Sequence, residues 1–167
     1  SACELLRLLG LGDEVFLSFL PLSHAYEHTA GLYFPISIKA QIYYAESIET
    51  LSANLVEARP TIMVSVPRLY EVMHRRIVIG LKRQSALKQS LFAKALALGR
   101  KEYGKPGSLG IVQGALNRVL ERLVRDKVRA RFGGRLKAMI SGGAPLNPEV
   151  GIFFTALGVC LLQGYGQ

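Results

Sequence analysis

Short apolar runs that end at proline or glycine alternate along this chain with stretches of helical periodicity, and that rhythm is the strongest constraint on its fold. Val15 to Leu20 reads as a buried strand stopped by Pro21, which has no N–H for a sheet ladder. Gln41 to Tyr44 is a second short strand, and Thr61 to Val66, β-branched and ended by Pro67, a third. Leu136 to Ile140 and Val159 to Leu162 are two more, each leading toward glycines. Between them, Ser23 is placed to cap a helix to about Lys39, with a break at Pro35. Ser47 to Glu57 carries Ile48, Leu51 and Leu55 on one helical face. Asn147 followed by Pro148 is a strong helix start. Strands separated by helices predict an α/β fold with a mostly parallel sheet.

The stretch between the third and fourth strands is different. Arg68 to about Tyr103 reads as one long helix, Gly104-Lys105-Pro106-Gly107 as a turn, and Ile111 to Phe132 as a second long helix ended by Gly133-Gly134. Residues 68–135 therefore predict a projecting helical hairpin inserted between sheet strands. On its second arm Val112, Leu116, Val119, Leu120, Leu123 and Val128 form an apolar stripe, and Arg118, Arg122, Arg125 and Arg129 a basic face. Glu121 and Arg125 form an i,i+4 pair worth tenths of a kcal/mol.

Charge follows the same division. The formal net charge of +9 is not spread evenly: residues 68–137 hold 18 Lys/Arg and 4 Asp/Glu, while the rest hold 3 and 8. A basic segment of this kind reads as a solvated helical face or as a surface for anionic membrane headgroups. Aromatics are few there and no recognised module is present, so nucleic acid is not expected. Half of the 167 residues are apolar, which excludes intrinsic disorder. No apolar run reaches the ~18 residues of a membrane-spanning helix. Cys3 and Cys160 fit no metal or redox spacing, so a cytoplasmic setting is expected, with peripheral contact at the inner membrane face as an extension.

Two small-residue loops follow the last two strands: Ser141-Gly142-Gly143-Ala144-Pro145-Leu146 and Gln163-Gly164-Tyr165-Gly166-Gln167. At the carboxyl ends of parallel strands, such loops let the backbone approach a ligand, and either alone is equally a tight turn. Together they resemble the adenylate-forming (AMP-binding) superfamily, and within it the long-chain acyl-CoA synthetases, or long-chain fatty-acid–CoA ligases. Leu20-Pro21-Leu22-Ser23-His24 resembles that family's LPL-x-H motif, and Val66-Pro67-Arg68-Leu69-Tyr70 its VPRL-aromatic motif. The resemblance covers essentially the whole chain, as a partial adenylation domain over 1–167.

The resemblance implies ATP-dependent joining of a long-chain fatty acid to AMP, then transfer of the acyl group to coenzyme A, with Mg²⁺ offsetting phosphate charge. It implies that Gly142, Gly143, Ala144 and Pro145 form one wall of an adenine pocket. It implies that Tyr165 stacks on the other side, flanked by Gly164, Gly166 and Gln167, and that His24 lies beside the acyl carboxylate. The family's Thr-Glu after the second loop, its phosphate loop, ribose-binding aspartate, hinge and C-terminal catalytic lysine are not among these residues. A piece of a larger enzyme, inactive by itself and prone to self-association, is therefore expected. The alternative is a non-catalytic basic α/β module that binds an anionic membrane or nucleic acid. His24-Ala25-Tyr26-Glu27-His28 also fits H-x-x-E-H, a zinc-protease pattern, but no third ligand is identifiable.

Overall fold

The computed structural model describes residues 12–164. Five strands form one parallel sheet in the order β2-β1-β3-β4-β5, with β1 at Val15–Ser18, β2 at Gln41–Tyr44, β3 at Ile62–Ser65, β4 at Ala138–Ser141 and β5 at Leu161–Gln163. The α/β class and the parallel sheet expected from the strand–helix rhythm are both present, with strand ends shifted by one or two residues.

The chain moves from β1 to β2, then reverses across β1 to β3, β4 and β5. With crossovers of one hand, a reversal of direction puts the connecting helices on the opposite face. Accordingly, among the described residues α1 (25–37) is the helix that covers one face, packing Tyr26, Ala30 and Phe34 on Phe16, Ile62 and Val64. The other face, built on Leu17, Met63 and Met139, carries everything else. That layer comprises α2 (Leu51–Ala58), α3 (Pro67–Lys82), α4 (Ala86–Gly104), α5 (111–131) and α6 (Pro148–Ala156). Alternate strand residues thus serve two cores, which is why these strands read as continuous apolar runs.

Five helical expectations are corrected. α1 begins after His24 rather than Ser23, and His24 makes no side-chain cap bond. Its middle, His28–Tyr33, is π-helical, and the Phe34 N–H reaches back to the Thr29 carbonyl. Pro35, without an N–H, is accommodated just beyond that widened turn. The single helix expected over 68–103 is two, broken at residues 83–85: Ser85 is extended, and Gln89 Nε2 donates to the Lys82 and Gln84 carbonyls left open by the break. The hairpin, α4 and α5, does not project: α4 lies against α6, and Phe92, Ala95, Leu120 and Val124 join the core. Gly99 permits that approach, since a Cβ there would lie 2.2 Å from the Ala156 carbonyl oxygen.

The fourth correction concerns α5. Glu121–Arg125 is π-helical, so the faces before and after it do not line up as 3.6-residue spacing requires. Leu120 and Val124 are buried, while Val112, Val119 and Leu123 of the expected stripe stay exposed. Arg125, assigned to the basic face, is buried among backbone carbonyls: Nε donates to Ala156 O at 2.9 Å and an Nη to Ala95 O at 2.8 Å. The other guanidinium arm meets Glu121 at 3.1 Å. α2 likewise begins at Leu51 and not at the expected Ser47, whose hydroxyl accepts from the Thr50 N–H in a turn ahead of the helix, whereas the predicted signals at Asn147 and Gly133-Gly134 hold. Asn147 Oδ1 accepts from the Glu149 N–H at 2.9 Å, and Gly133 and Gly134 take φ of 84° and 73° to close α5.

Candidate functional site

The sheet's reversal of direction between β1 and β3 opens the place where α/β proteins bind ligands, outside the carboxyl ends of the strands. Every expected site residue within the described region stands at this edge. His24 follows β1, Gly142 to Pro145 follow β4, and Gly164 follows β5. Tyr165, Gly166 and Gln167 lie outside the described residues.

The structure brings His24 and the first glycine loop together. A Cβ on Gly143 would lie 3.8 Å from His24 Cε1 and 3.7 Å from Val66 Cγ1, so the loops after β1, β3 and β4 meet at one point. Gly143 has a φ of 78°, a left-handed conformation that favours glycine. Gly142 is buried beneath the Tyr26 ring, where a Cβ would lie 2.3 Å from Cε2. Gly143, Ala144, Pro145 and His24 are exposed. The Gly142 N–H donates to Ser65 O at 3.1 Å and the Gly164 N–H to Ser141 O at 2.7 Å, carrying the ladder one step beyond β3 and β4 and fixing the two loops side by side.

Two tyrosines that the motifs contained but sequence reasoning did not single out hold this edge. Tyr26 from α1 and Tyr70 from α3 approach from opposite faces and donate to the same Ile140 carbonyl, at 3.4 and 3.0 Å. Burial, then the neighbouring Glu27 charge, pushes the Tyr26 phenol up to about 12. Tyr70, wholly buried, is raised well above the usual phenol range for the same first reason. Both remain protonated donors at neutral pH. The available signal was an aromatic in the first turn of each helix that follows a strand and its terminal proline, second in α1 and fourth in α3. Ser65 and Ser141, paired in register and buried, have hydroxyls without a partner, leaving polar groups beneath the edge.

Glu27 is the buried charge of the site. Ser18 Oγ, at the end of β1, donates to its Oε1, and Oε2 has no hydrogen-bond partner. Gly31 makes room for it, since a Cβ there would fall 2.0 Å from Oε1. Burial raises its pKa, and the Ser18 bond, the Leu20 and Phe19 backbone and the His24 charge only partly oppose that. The H-x-x-E-H residues therefore diverge: Glu27 turns inward, His28 stacks on Tyr33 with centroids 4.6 Å apart, and His24 faces Gly143. No group of three or more His, Cys, Asp or Glu among the described residues is placed to hold a metal ion. Cys160 is a free, exposed thiol, and no described helix is long and apolar enough to cross a membrane.

A carboxyl whose pKa is higher in the fold than in the unfolded chain stabilises the fold fully below the unfolded value, and that contribution is lost as pH rises through the folded value. Glu27→Gln removes this dependence. The stability difference between wild type and Glu27→Gln is therefore expected to move in favour of wild type as pH falls from 7 toward 4.5. Urea titrations at several pH values check this, and a difference independent of pH refutes it.

Known proteins resemble this chain along nearly all of its length. The family profile described as AMP-binding enzyme matches residues 2–167. Long chain acyl-CoA synthetase 6, peroxisomal, of Arabidopsis thaliana is 33% identical over 164 residues, covering 93% of this chain and 21% of that protein. A long-chain-fatty-acid–CoA ligase of Mycobacterium tuberculosis, FadD15, is 33% identical over 161 residues, covering 95% of this chain and 26% of that protein. The chain thus spans about a fifth to a quarter of the length of these relatives. Among solved structures, the adenylation domain of a carboxylate reductase from Mycobacterium chelonae superposes with a TM-score of 0.61 at 28% identity, over 93% of this chain and 20% of that one. With the loops after β1, β3 and β4 gathered at one sheet edge and residues 2–167 matched by the family profile, the chain belongs to the AMP-binding enzyme family.

Proposed function

We propose that this chain supplies the adenine and acyl-carboxylate corner of a long-chain fatty-acid–CoA ligase, as part of its adenylation domain. The observation that carries the reading is the meeting of His24 with Gly143 at the carboxyl edge. In this reading the exposed Gly143, Ala144 and Pro145 form one wall for the adenine, with Gly142 fixing the loop from beneath. Tyr165 stacks opposite, between Gly164 and Gly166, with Gln167 following. His24 donates a hydrogen bond to the fatty carboxylate and helps to hold it for attack on the α-phosphate of ATP. Pyrophosphate leaves, and the coenzyme A thiol then takes the acyl group from the acyl–AMP ester, releasing AMP. Mg²⁺ supplies charge neutralisation on the phosphates. Its usual carboxylate partner in the family is not among these residues, so no step is assigned to it here.

The same reading makes the isolated chain unable to adenylate a fatty acid. Titration with AMP is expected to show weak binding that Tyr165→Ala removes, while ATP–pyrophosphate exchange stays at the blank. Binding unaffected by Tyr165→Ala, or clear exchange, overturns it. We further place the working enzyme on the cytoplasmic side of a membrane, with residues 68–137 toward anionic headgroups. Most of the cations of this segment are exposed, which supports that contact. Vesicle flotation that rises with anionic lipid content checks it. The exposed Ile111, Val112 and Val119 support self-association, read by sedimentation velocity.

A further inference from the structure

A cavity of about 450 Å³ opens among α2, α3, α4 and α5. It is distinct from the carboxyl-edge site: none of His24, Tyr26 or Gly142 to Pro145 lines it. Its floor is apolar, formed by core residues such as Leu51, Leu55, Met73, Phe92 and Phe132. Its polar lining is unusual in sign. Arg76, Lys88, Lys127 and Arg131 contribute four cations, all exposed, and no Asp or Glu among the described residues lines the cavity. None of the four forms an ion pair among the described residues. Arg76 donates to the Ile48 carbonyl and Lys88 to Gln84 Oε1, while Lys127 and Arg131 stand one turn apart on α5. Like charges at that spacing repel by tenths of a kcal/mol, while the last turn of α5 favours a cation at Arg131.

An apolar floor under a one-signed rim suits a ligand with the complementary division. We propose that this cavity binds a single-chain amphiphile with an anionic head, its aliphatic tail on the Leu51–Phe92–Phe132 floor and its head among the four cations. At roughly the 30 Å³ that a water-sized group occupies, the cavity holds about a dodecyl chain with room to spare. Its size falls in the range of small-molecule sites, about 300–1,000 Å³. The occupant is a free amphiphile below its micelle concentration, taken up one per chain. This inference goes beyond the adenylation reading and does not depend on it.

Gly80 provides the decisive variant. It lines the cavity, and a Cβ there meets nothing within 4 Å, so a large side chain enters open space. Replacing a glycine inside α3 also favours helix, so Gly80→Trp is expected to fold. Calorimetric titration with dodecyl phosphate is expected to give one saturable site, with octyl phosphate at least tenfold weaker. The loss follows because each buried methylene strengthens binding by roughly fourfold. Dodecylphosphocholine, whose head carries no net charge, is expected to bind at least tenfold more weakly, and inorganic phosphate not measurably. Gly80→Trp and the double variant Lys127→Glu/Arg131→Glu are each expected to lose at least tenfold. Saturating AMP is expected to leave the affinity unchanged. The proposal is overturned by the absence of saturable binding, by equal affinity for the two dodecyl heads, or by undiminished binding to either folded variant.

Discussion

Gly142→Ala is expected to destabilise the chain by roughly 1–3 kcal/mol, the ordinary cost of overpacking, and to lower AMP affinity at least tenfold. The backbone at Gly142 is not in the left-handed region, so alanine meets no conformational penalty there. The whole effect comes from the Tyr26 ring, which the new Cβ would approach to 2.3 Å. For the ring to give way, Tyr26 must leave the Ile140 carbonyl and open the seam between α1 and the β4 loop. The cause can therefore be isolated. In a Tyr26→Ala background the same substitution has space, and its cost is expected to fall close to zero. A double-mutant cycle from urea denaturation measures that coupling. Equal costs in the two backgrounds refute the account.

Arg125→Ala is expected to lose more, roughly 2–4 kcal/mol, because it deletes two buried bonds from a charged group, each about 1.5–3 kcal/mol before relaxation, and leaves the Ala156 carbonyl at the end of α6 without that donor. The carbonyls of Ala95 in α4 and Ala156 at the end of α6 both accept from this one guanidinium. Arg125 thus ties three helices together, and among the described residues it is the side chain that reaches both acceptors. Its pair with Glu121 is the smaller part, since the Glu121 side chain is 41% exposed and screened by water. Lys is expected to rescue only in part, because one ammonium lacks the planar fork that serves separate acceptors. The urea midpoint is expected to fall with the slope unchanged, and a loss below about 0.5 kcal/mol, typical of a surface change, would return Arg125 to the solvated face.

The buried Arg125 also marks the limit of sequence reading here. Counted by 3.6 residues per turn, it joins Arg118, Arg122 and Arg129 on a basic face. The π turn at Glu121–Arg125 rotates the helix beneath that count. Nothing in the local composition announces an extra residue per turn, and the widened turn lies where α5 packs against α4. The break before Ser85 was hidden for a related reason. Residues 83–85 contain neither proline nor glycine, and the stop depends on Gln89 reaching back to free carbonyls.

The strands, their parallel pairing and the glycine turn after β4 were legible in the chain alone. Those signals are local: apolar runs of four to six residues, prolines that cannot continue a ladder, and glycines where a turn must follow. The chain alone also placed His24 and Gly142 to Pro145 at strand ends. Only the tertiary structure decided that these residues meet, because strand order is set by which faces must be buried and not by neighbours in the chain. The order β2-β1-β3-β4-β5 puts residues 24 and 143 in contact range across more than a hundred positions. It likewise assigned Tyr26 and Tyr70 to one carbonyl and turned Glu27 inward. It also gathered four cations from α3, α4 and α5 around an apolar floor. Each of these depends on groups distant in sequence sharing one buried space, and chain order carries no record of that.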